Sequence, residues 1–471
     1  MQPLKSDAGL GLPVTATVPL ASTPGNKRAV LGLRSLYTTL LATVAFATIQ
    51  MVIKPTAVYP DSLRNASTRA PGAEFDWFAV EPSRDVRWVD CYEDQKCARL
   101  LLPLDYDRPN GPTTAIAIRM IPATDRENYR GTVFLNPGGP GGSGTNYIQR
   151  RGKDMSTILG PSYDILSFDP RGIGFTVPRI DCFDSKSQRD IWETQEGHAL
   201  IGTANSTGTL LYRARAQLLG ERCENKLGGE HGLARFVSTP YVARDMLEMT
   251  QKLGQEKLQY WGFSYGTILG QWFATLYPDK IKRLAIDGVV DGHSYRRSSY
   301  ETDVVDVEAI VESLFTYCHD AGPLKCPIYD STPDRIAARF FNTLKSISAS
   351  PFPIPLADPP LIITRKVILE SLFRAAYKPV NTFPLITQVF AALESHNTTA
   401  LTALAPHIAD PTTCSCSAAT LPMVGSNEVQ WAVECADSDA YKFDPSLYAS
   451  FYAELESVSP LLAPVHLRAL E

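Results

Sequence analysis

Residues 258–270 read Leu-Gln-Tyr-Trp-Gly-Phe-Ser-Tyr-Gly-Thr-Ile-Leu-Gly, and this stretch decides the fold. The apolar and aromatic run Leu258–Phe263 predicts a strand, and Thr267–Tyr277 predicts a helix directly after it. A GxSxG pattern at 262–266 lies between them. In a strand–turn–helix context this pattern predicts a sharp, strained turn that lifts the hydroxyl of Ser264 clear of the sheet. Ser264 is therefore a candidate nucleophile, and a glycine-rich turn with a solvated serine is the alternative.

A second glycine-rich stretch lies upstream. Residues 136–144, Asn-Pro-Gly-Gly-Pro-Gly-Gly-Ser-Gly, follow a predicted strand at Gly131–Leu135. A phosphate loop is disfavoured because no Lys-Ser/Thr pair follows and the GxGxxG register is absent. We expect an oxyanion-hole loop, in which a backbone N–H near Gly139 pairs with the N–H of Tyr265. A purely structural hairpin loop is the alternative.

The remainder of the first half alternates strands and helices. Short apolar runs that end at Gly- or Pro-rich turns predict four further strands, at Ala98–Leu104, Thr114–Ile121, Tyr163–Phe168 and Leu284–Val290. Apolar residues at helical spacing predict a helix over Pro240–Leu253, with Thr239 as its N-cap. Near-continuous apolar strands suit a parallel sheet that is covered on both faces. The predicted fold class is α/β, with a doubly wound sheet.

The turn Asp169-Pro170-Arg171-Gly172-Ile173-Gly174 follows one of these strands. Asp169 and Arg171 are candidates for ordering the loops around Ser264. A buried turn that contains a satisfied charge pair is the favoured interpretation, because buried charges are normally paired.

From about residue 291 the pattern changes to helices separated by loops, one of them the Pro-rich stretch 350–360, which predicts a helical cap or insertion. The start of the chain is rich in Pro, Thr, Gly and Ala without periodicity. The predicted organisation is a disordered tail at 1–34, a membrane anchor or signal peptide at 35–53, a linker at 54–75, an α/β core at 76–290, a helical cap at 291–440, and the start of a C-terminal region at 441–471.

Residues 35–53 contain no charged side chain, and Lys27, Arg28 and Arg34 precede them. This length just spans a bilayer, and the preceding charges favour a cytosolic N-terminus. A single-pass anchor with a lumenal or extracellular catalytic domain is the favoured interpretation. A cleaved signal, which would make the protein secreted, and a buried core helix are the alternatives.

All nine cysteines and three glycosylation sequons, at Asn65, Asn205 and Asn397, follow this segment and indicate a secreted or lumenal glycoprotein. Sequence spacing predicts disulfides between Cys91 and Cys97 and between Cys318 and Cys326, and makes a Cys182–Cys223 bond plausible. One of the remaining cysteines, at positions 414, 416 and 435, is left over.

Other classes of site are disfavoured. No cysteine pair has the second pair or nearby histidines of a zinc site, and neither a metal nor a cofactor is predicted. The chain has 45 Lys and Arg against 50 Asp and Glu, a net charge of −5. Nucleic-acid binding is disfavoured because no basic excess is present to neutralise phosphates.

The three motifs NPGGPGGSG, DPRGIG and LQYWGFSYGTILG together resemble the secreted tripeptidyl aminopeptidase branch of the proline iminopeptidase-like α/β-hydrolases. The resemblance covers about residues 90–291, and more loosely extends to Val-Glu-Cys-Ala-Asp at 433–437. It implies a serine peptidase acting on peptides with a free N-terminus, with Ser264 as nucleophile and Gly139 and Tyr265 as oxyanion donors. Acidic groups in the cap bind the substrate amine in such enzymes, for which Glu434 and Asp437 are the candidates.

In this fold an acid and then a histidine follow the serine along the chain, each after a later strand. No such segments precede Glu471. Asp287, Asp291, His293 and His466 are weak substitutes by position. We therefore expect that the C-terminal strands are missing from a truncated hydrolase. An esterase-type hydrolase and an inactive pseudo-enzyme are the alternatives.

Overall fold

A computed structural model of the chain describes residues 75–229, 232–299, 301–409, 427–439 and 444–466. The predicted tail at 1–34, the predicted anchor or signal at 35–53 and the linker up to residue 74 lie outside the described residues. No helix within those ranges is long and apolar enough to cross a membrane.

A mixed sheet of seven strands forms the centre of the described chain. In chain order the strands are β1 (Val89–Cys91), β2 (Gln95–Pro103), β3 (Thr113–Ile121), β4 (Thr132–Asn136), β5 (Asp164–Phe168), β6 (Leu258–Phe263) and β7 (Ile281–Asp287). They lie side by side in the order β1-β2-β3-β5-β4-β6-β7. The neighbours from β5 to β7 are parallel, and β1, β2 and β3 extend the sheet in antiparallel fashion. The predicted α/β class is confirmed, although β7 ends before the predicted Val290.

The helices alternate with the later strands and then dominate the second half of the described chain. In chain order they are α1 (Gly144–Leu159), α2 (Lys186–Thr194), α3 (Thr207–Leu227), α4 (Thr239–Lys252), α5 (Tyr265–Leu276), α6 (Gly292–Arg296), α7 (Val307–Ala321), α8 (Pro333–Ala349), α9 (Arg365–Ala376), α10 (Pro379–Glu394), α11 (Thr398–Ile408), α12 (Asn427–Asp437), α13 (Pro445–Val458) and α14 (Ala463–His466).

Both faces of the sheet are covered because side chains along a strand alternate between faces. In β4, Phe134 packs in the cluster that contains Met246 of α4 and Phe273 of α5. Its neighbours Val133 and Leu135 pack instead with the residues of α1. The sheet is therefore doubly wound, as its apolar strands predict.

The register of the parallel strands sets the position of the loops at their carboxyl ends. Asn136 at the end of β4 pairs with Gly262 of β6, and Phe263 pairs with Asp287 at the end of β7. The loops that follow β4, β6 and β7 consequently leave the same edge of the sheet side by side. This edge is where open α/β sheets bind their ligands.

The helices from α7 to α11, together with α13 and α14, share one large apolar cluster, in which the rings of Phe340 and Phe390 stack at 3.9 Å between centroids. One feature differs from the sequence-based expectation. The Pro-rich stretch 350–360 is part of an antiparallel hairpin of β8 (Phe352–Ile354) and β9 (Leu361–Ile363). Residues 445–466 pack into the same cluster as helices of the predicted cap.

Three disulfides join the predicted partners, Cys91–Cys97, Cys182–Cys223 and Cys318–Cys326. Cys182–Cys223 ties α3 to the chain that leaves the sheet after β5. Cys435 is free, whereas positions 414 and 416 lie outside the described residues. Of the sequons, Asn205 and Asn397 are exposed, and Asn65 lies outside the described residues.

The predicted turn after β5 is buried, but its charged residues do not pair with each other. The guanidinium of Arg171 donates to both carboxylate oxygens of Asp245 in α4, at 2.6 and 2.7 Å, and neither side chain is exposed to solvent. It also donates to the carbonyl oxygens of Pro103 and Leu104, while Tyr106 donates its hydroxyl proton to Asp245. The pair thus joins the turn, the end of β2 and α4. The sequence-based expectation of a charge pair within the turn is wrong because the partner of Arg171 is distant in the chain.

We expect the substitution Asp245→Asn to lower the free energy of unfolding by about 3–5 kcal/mol, because it leaves the buried Arg171 charge without a counterion. Urea unfolding followed by tryptophan fluorescence measures the change. Asp154→Asn is the matched control, since it removes the exposed partner of Arg151 and should change stability by less than about 1 kcal/mol. A loss below about 1 kcal/mol for Asp245→Asn would show that carbonyl oxygens alone compensate Arg171.

Candidate active site

Ser264 occupies a strained backbone conformation at the junction of β6 and α5. Its φ of 55° and ψ of −126° lie in a region that L-residues rarely adopt, and its side chain is exposed. Two neighbours hold the turn in place. The N–H of Ser264 donates to the carbonyl oxygen of Asp287 at 3.0 Å, and its carbonyl oxygen accepts from the N–H of Thr267 at 2.8 Å. The hydroxyl therefore stands at the carboxyl edge of the sheet, as the GxSxG pattern predicts.

Glycine is required at position 262, where the end of β6 lies close to the first turn of α5. A Cβ on Gly262 would overlap the carbonyl oxygen of Gly266 and would lie 2.6 Å from the phenol ring of Tyr260. The tight turn is therefore possible only because the backbone of Gly266 and the ring of Tyr260 can approach position 262 more closely than a side chain there would allow.

The glycine-rich loop after β4 lies directly against the Ser264 turn. A Cβ on Gly138 would overlap the carbonyl oxygen of Phe263 and would lie 2.9 Å from Ser264 Cβ and 3.0 Å from Tyr265 N. The side-chain oxygen of Asn136 accepts from the N–H of Gly138 at 2.9 Å, which shapes the start of the loop. The backbone N–H groups of Gly139 and Tyr265 donate to no acceptor in the part of the chain that the structure describes.

Asp169 anchors the far end of this loop. Its carboxylate accepts from Ser143 Oγ at 2.6 Å, from the backbone N–H and the hydroxyl of Thr145 at 2.9 and 3.0 Å, and from the N–H of Phe175 at 2.8 Å. Complete burial raises the pKa of Asp169, and these hydrogen bonds oppose that effect. Asp169 thus holds the N-terminus of α1 against the turn after β5, which fits the loop-ordering role for which it is a candidate from the sequence.

Helix α12 packs over the loop from the side of the cap. A Cβ on Gly141 would lie 3.3 Å from Val429 Cγ1, so the first turn of α12 touches the loop. Val433, one turn further, packs with Tyr265, Ile268 and Tyr295. A small pocket is lined by Asn136, Gly138 and residues 140–142 of the loop, by residues of the turn after β5, by Val237 and Val242, and by Tyr265 and Val433. Helix α12 therefore lies against the glycine-rich loop and Tyr265.

The two acidic candidates of α12 have different surroundings. Glu434 is 6% exposed and accepts from Gln430 Nε2 at 2.9 Å. Asp437 accepts from the N–H and the hydroxyl of Thr239 at 2.7 and 2.5 Å and from the hydroxyl of Tyr295 at 2.8 Å. Burial raises the pKa of Asp437, and these hydrogen bonds oppose that effect.

The role of Thr239 in the structure differs from the predicted role as N-cap of α4. The N-cap residue of α4 is Ser238, and Thr239 is the first residue of the helix. Its hydroxyl bonds to Asp437 and to the hydroxyl of Tyr265 rather than to the helix N-terminus. Sequence reasoning missed Thr239 and Tyr295 as parts of the site, because their partners lie far along the chain and no local pattern marks such contacts.

The weak substitutes for an acid and a histidine are engaged elsewhere. The carboxylate of Asp287 accepts from Trp261 Nε1 at 3.0 Å, and Asp291 caps α6, where backbone N–H groups lower its pKa. His293 is exposed on α6, and His466 lies beside Phe373 in the cap. Within the described ranges, no histidine forms a hydrogen bond with Ser264.

A family model described as alpha/beta hydrolase fold matches residues 131–309, which include the glycine-rich loop, the Ser264 turn and β7. The chain has the α/β-hydrolase fold. The strained serine between a strand and a helix agrees with that assignment, and together they support an enzyme.

Curated relatives share the same region. The chain is 32% identical to the serine protease Hip1 of Mycobacterium tuberculosis over 52% of its own length and 46% of that protein. It is 32% identical to the tripeptidyl aminopeptidase of Streptomyces lividans over 44% of its own length and 38% of that protein. The chain thus spans less than half the length of these relatives. The resemblance to tripeptidyl aminopeptidases of the α/β-hydrolase superfamily is confirmed.

Among solved structures, the proline iminopeptidase of Mycobacterium smegmatis aligns with a TM-score of 0.25 and 13% identity, over 52% of this chain and 60% of that one. A score this low supports no argument about the site.

We expect Gly138→Ala to distort the Ser264 turn, because the new methyl group meets the backbone of residues 263–265. Labelling of the protein with a serine-directed fluorophosphonate should fall by about tenfold or more, since a displacement of about 1 Å costs far more in reactivity than in stability. Gly160→Ala is the matched control. Gly160 also has a positive φ, of 90°, but no atom lies within 4 Å of its Cβ position.

Both substitutions place Ala at a positive φ, which costs about 1 kcal/mol. Gly138→Ala adds the cost of the steric overlap, so its thermal unfolding should shift more. At a temperature where both variants are folded, only Gly138→Ala should lose labelling. Equal labelling of the two variants would contradict the contact between the loop and the turn.

Proposed function

We propose that the protein is a serine peptidase that removes residues from the free N-termini of peptides, with Ser264 as its nucleophile. The observation that carries the proposal is the strained, exposed Ser264, with Gly138 of the glycine-rich loop against its turn. Acyl transfer by a serine requires a base that activates the hydroxyl and donors for the developing oxyanion. The backbone N–H groups of Gly139 and Tyr265 are the proposed donors.

In the proposed reaction, Ser264 Oγ attacks the carbonyl carbon of the scissile peptide bond and loses its proton to a general base. The carbonyl oxygen becomes negatively charged in the tetrahedral intermediate, and the N–H groups of Gly139 and Tyr265 stabilise it. Tyr265 is also the first residue of α5, so the positive end of the helix dipole favours the same charge. The C–N bond then breaks, the amine leaves with a proton, and water hydrolyses the acyl-enzyme.

Specificity for free N-termini is proposed from the position of α12 against the glycine-rich loop and Tyr265. Glu434 follows Val433, which lines the small pocket with Tyr265. Burial raises the pKa of Tyr265, and the negative charges of Asp437 and Glu434 add to that effect. A carboxylate at this place would pair with the ammonium group of a substrate and would limit how far the peptide extends into the site. Asp437, the second candidate, accepts from Thr239 and Tyr295.

The proposed location is outside the cytosol, in the secretory pathway or beyond it. Three disulfides within the α/β core and cap support it, because such bonds persist in oxidising compartments. The choice between an uncleaved anchor and a cleaved signal concerns residues 35–53, which lie outside the described residues.

We expect Ser264→Ala to reduce hydrolysis of a tripeptidyl aminomethylcoumarin by at least about 10³-fold, because it removes the nucleophile. The reaction is followed by fluorescence with the full chain, and p-nitrophenyl acetate serves as an ester substrate. Hydrolysis of the ester alone by the native protein would favour an esterase. Unchanged hydrolysis of either substrate by Ser264→Ala would overturn the proposal.

We expect Glu434→Gln to raise the KM for the free-amine tripeptide about tenfold, because it replaces a charge-assisted hydrogen bond by a neutral one. The same tripeptide with an acetylated N-terminus is the control substrate, and its hydrolysis should be poor and insensitive to the substitution. An equal effect on both substrates would exclude Glu434 as the group that binds the amine.

A further inference from the structure

A chain of hydrogen bonds leads from the residue after the nucleophile to the end of α12. The hydroxyl of Thr239 contacts both the hydroxyl of Tyr265 and Oδ2 of Asp437. A hydroxyl donates only one proton, and an ionised carboxylate can only accept. The Thr239 proton therefore goes to Asp437, and the Tyr265 hydroxyl donates to Thr239. Tyr295 adds a second hydroxyl donor to Asp437 at 2.8 Å.

This network is buried, and it connects three separate segments. Thr239 is fully buried and Tyr265 and Tyr295 are largely so, at 0%, 6% and 3% exposure. Thr239 begins α4, Tyr265 begins α5, and Asp437 ends α12. Asp437 accepts three hydrogen bonds from protein donors, two of them at Oδ2.

Helix α12 is also held at its other end. Arg189 of α2 donates to both carboxylate oxygens of Glu428, and both side chains are 3% exposed. Between the two ends, Val429 contacts the glycine-rich loop and Val433 packs in one cluster with Tyr265. The helix thus contacts both segments that carry the proposed oxyanion donors, Gly139 in the loop and Tyr265.

We propose that Asp437 is a positioning residue of the oxyanion hole, which acts through Thr239 to hold Tyr265 and with it the backbone N–H that stabilises the tetrahedral intermediate. The inference rests on the proposed function. The physical reason is that Ser264 sits in a strained turn, so the residue after it relaxes unless its own side chain is fixed. A donor is effective only within about 2.7–3.1 Å of the developing oxyanion.

The test is Asp437→Asn in the full chain, with the free-amine tripeptidyl coumarin substrate and p-nitrophenyl acetate. Asparagine keeps an acceptor for the Thr239 N–H but presents an amide N–H₂ group to the two hydroxyls. We expect kcat to fall about tenfold on both substrates with little change in KM, because both reactions use the oxyanion donors and only one of them has an amine. A higher KM confined to the free-amine substrate, with kcat unchanged, would overturn the inference and would make Asp437 an amine-binding group.

Asp439→Asn is the matched control. It makes the same change two residues further along, where the carboxylate pairs with Arg296 and both side chains are exposed. We expect wild-type kcat and KM for this variant. A fall in kcat equal to that of Asp437→Asn would assign the effect to lost charge rather than to the network.

Tyr265→Phe breaks the network from its opposite end, because it removes the phenol oxygen and keeps the backbone N–H. We expect the same fall in kcat on both substrates, and no further fall when Asp437→Asn is combined with it, since both changes break one connection. Additive effects would overturn the inference. Tyr265→Phe also decides the question if thermal unfolding shows that Asp437→Asn does not fold.

Ser264→Ala separates this inference from the proposed function. If Ser264→Ala abolishes both hydrolyses and Asp437→Asn leaves kcat unchanged, only the positioning role is wrong. If Ser264→Ala leaves both hydrolyses unchanged, the proposed function is wrong and the positioning role fails with it.

Discussion

The left-handed backbone at Ser264 is the constraint on which the arrangement of the site depends. A non-glycine residue at a φ of 55° costs of order 1–3 kcal/mol, so the surrounding structure must hold it. The hydrogen bond from Ser264 to Asp287 fastens the turn to β7, and Gly138 brings the β4 loop against it without an intervening side chain. The same contacts that maintain the strain also bring the glycine-rich loop against Tyr265.

Buried charges connect the pieces around this turn. Arg171 and Asp245 link the turn after β5 to α4, and Arg189 and Glu428 link α2 to α12. Such pairs contribute little net stability compared with apolar residues, but breaking one leaves a costly unpaired charge. Their effect is therefore to define which segments meet. In this protein the Arg171–Asp245 pair anchors α4, which carries Thr239, and the Arg189–Glu428 pair anchors α12, which carries Asp437.

Several elements were predictable because their causes are local. The strands around Gly262 and Gly139 follow from short apolar runs, and the turn at Ser264 follows from glycines at fixed offsets. The disulfide partners follow from spacing. The predictions that failed concern the hydrogen-bond and ion-pair partners of individual side chains. The charge pair expected within the turn after β5 joins Arg171 to Asp245 instead, and the expected cap residue Thr239 bonds to Asp437, about two hundred positions away.

The sequence by itself determined the α/β class, the position of Ser264 and the identity of the glycine-rich loop, because backbone conformation and periodicity depend on neighbours within a few residues. Only the tertiary structure decided that α12 lies over that loop, that Asp437 faces inward to Thr239 and Tyr295, and that residues 445–466 pack with the cap. Those arrangements arise from side-chain packing and from the pairing of buried polar groups between distant segments, which no local pattern in the sequence records.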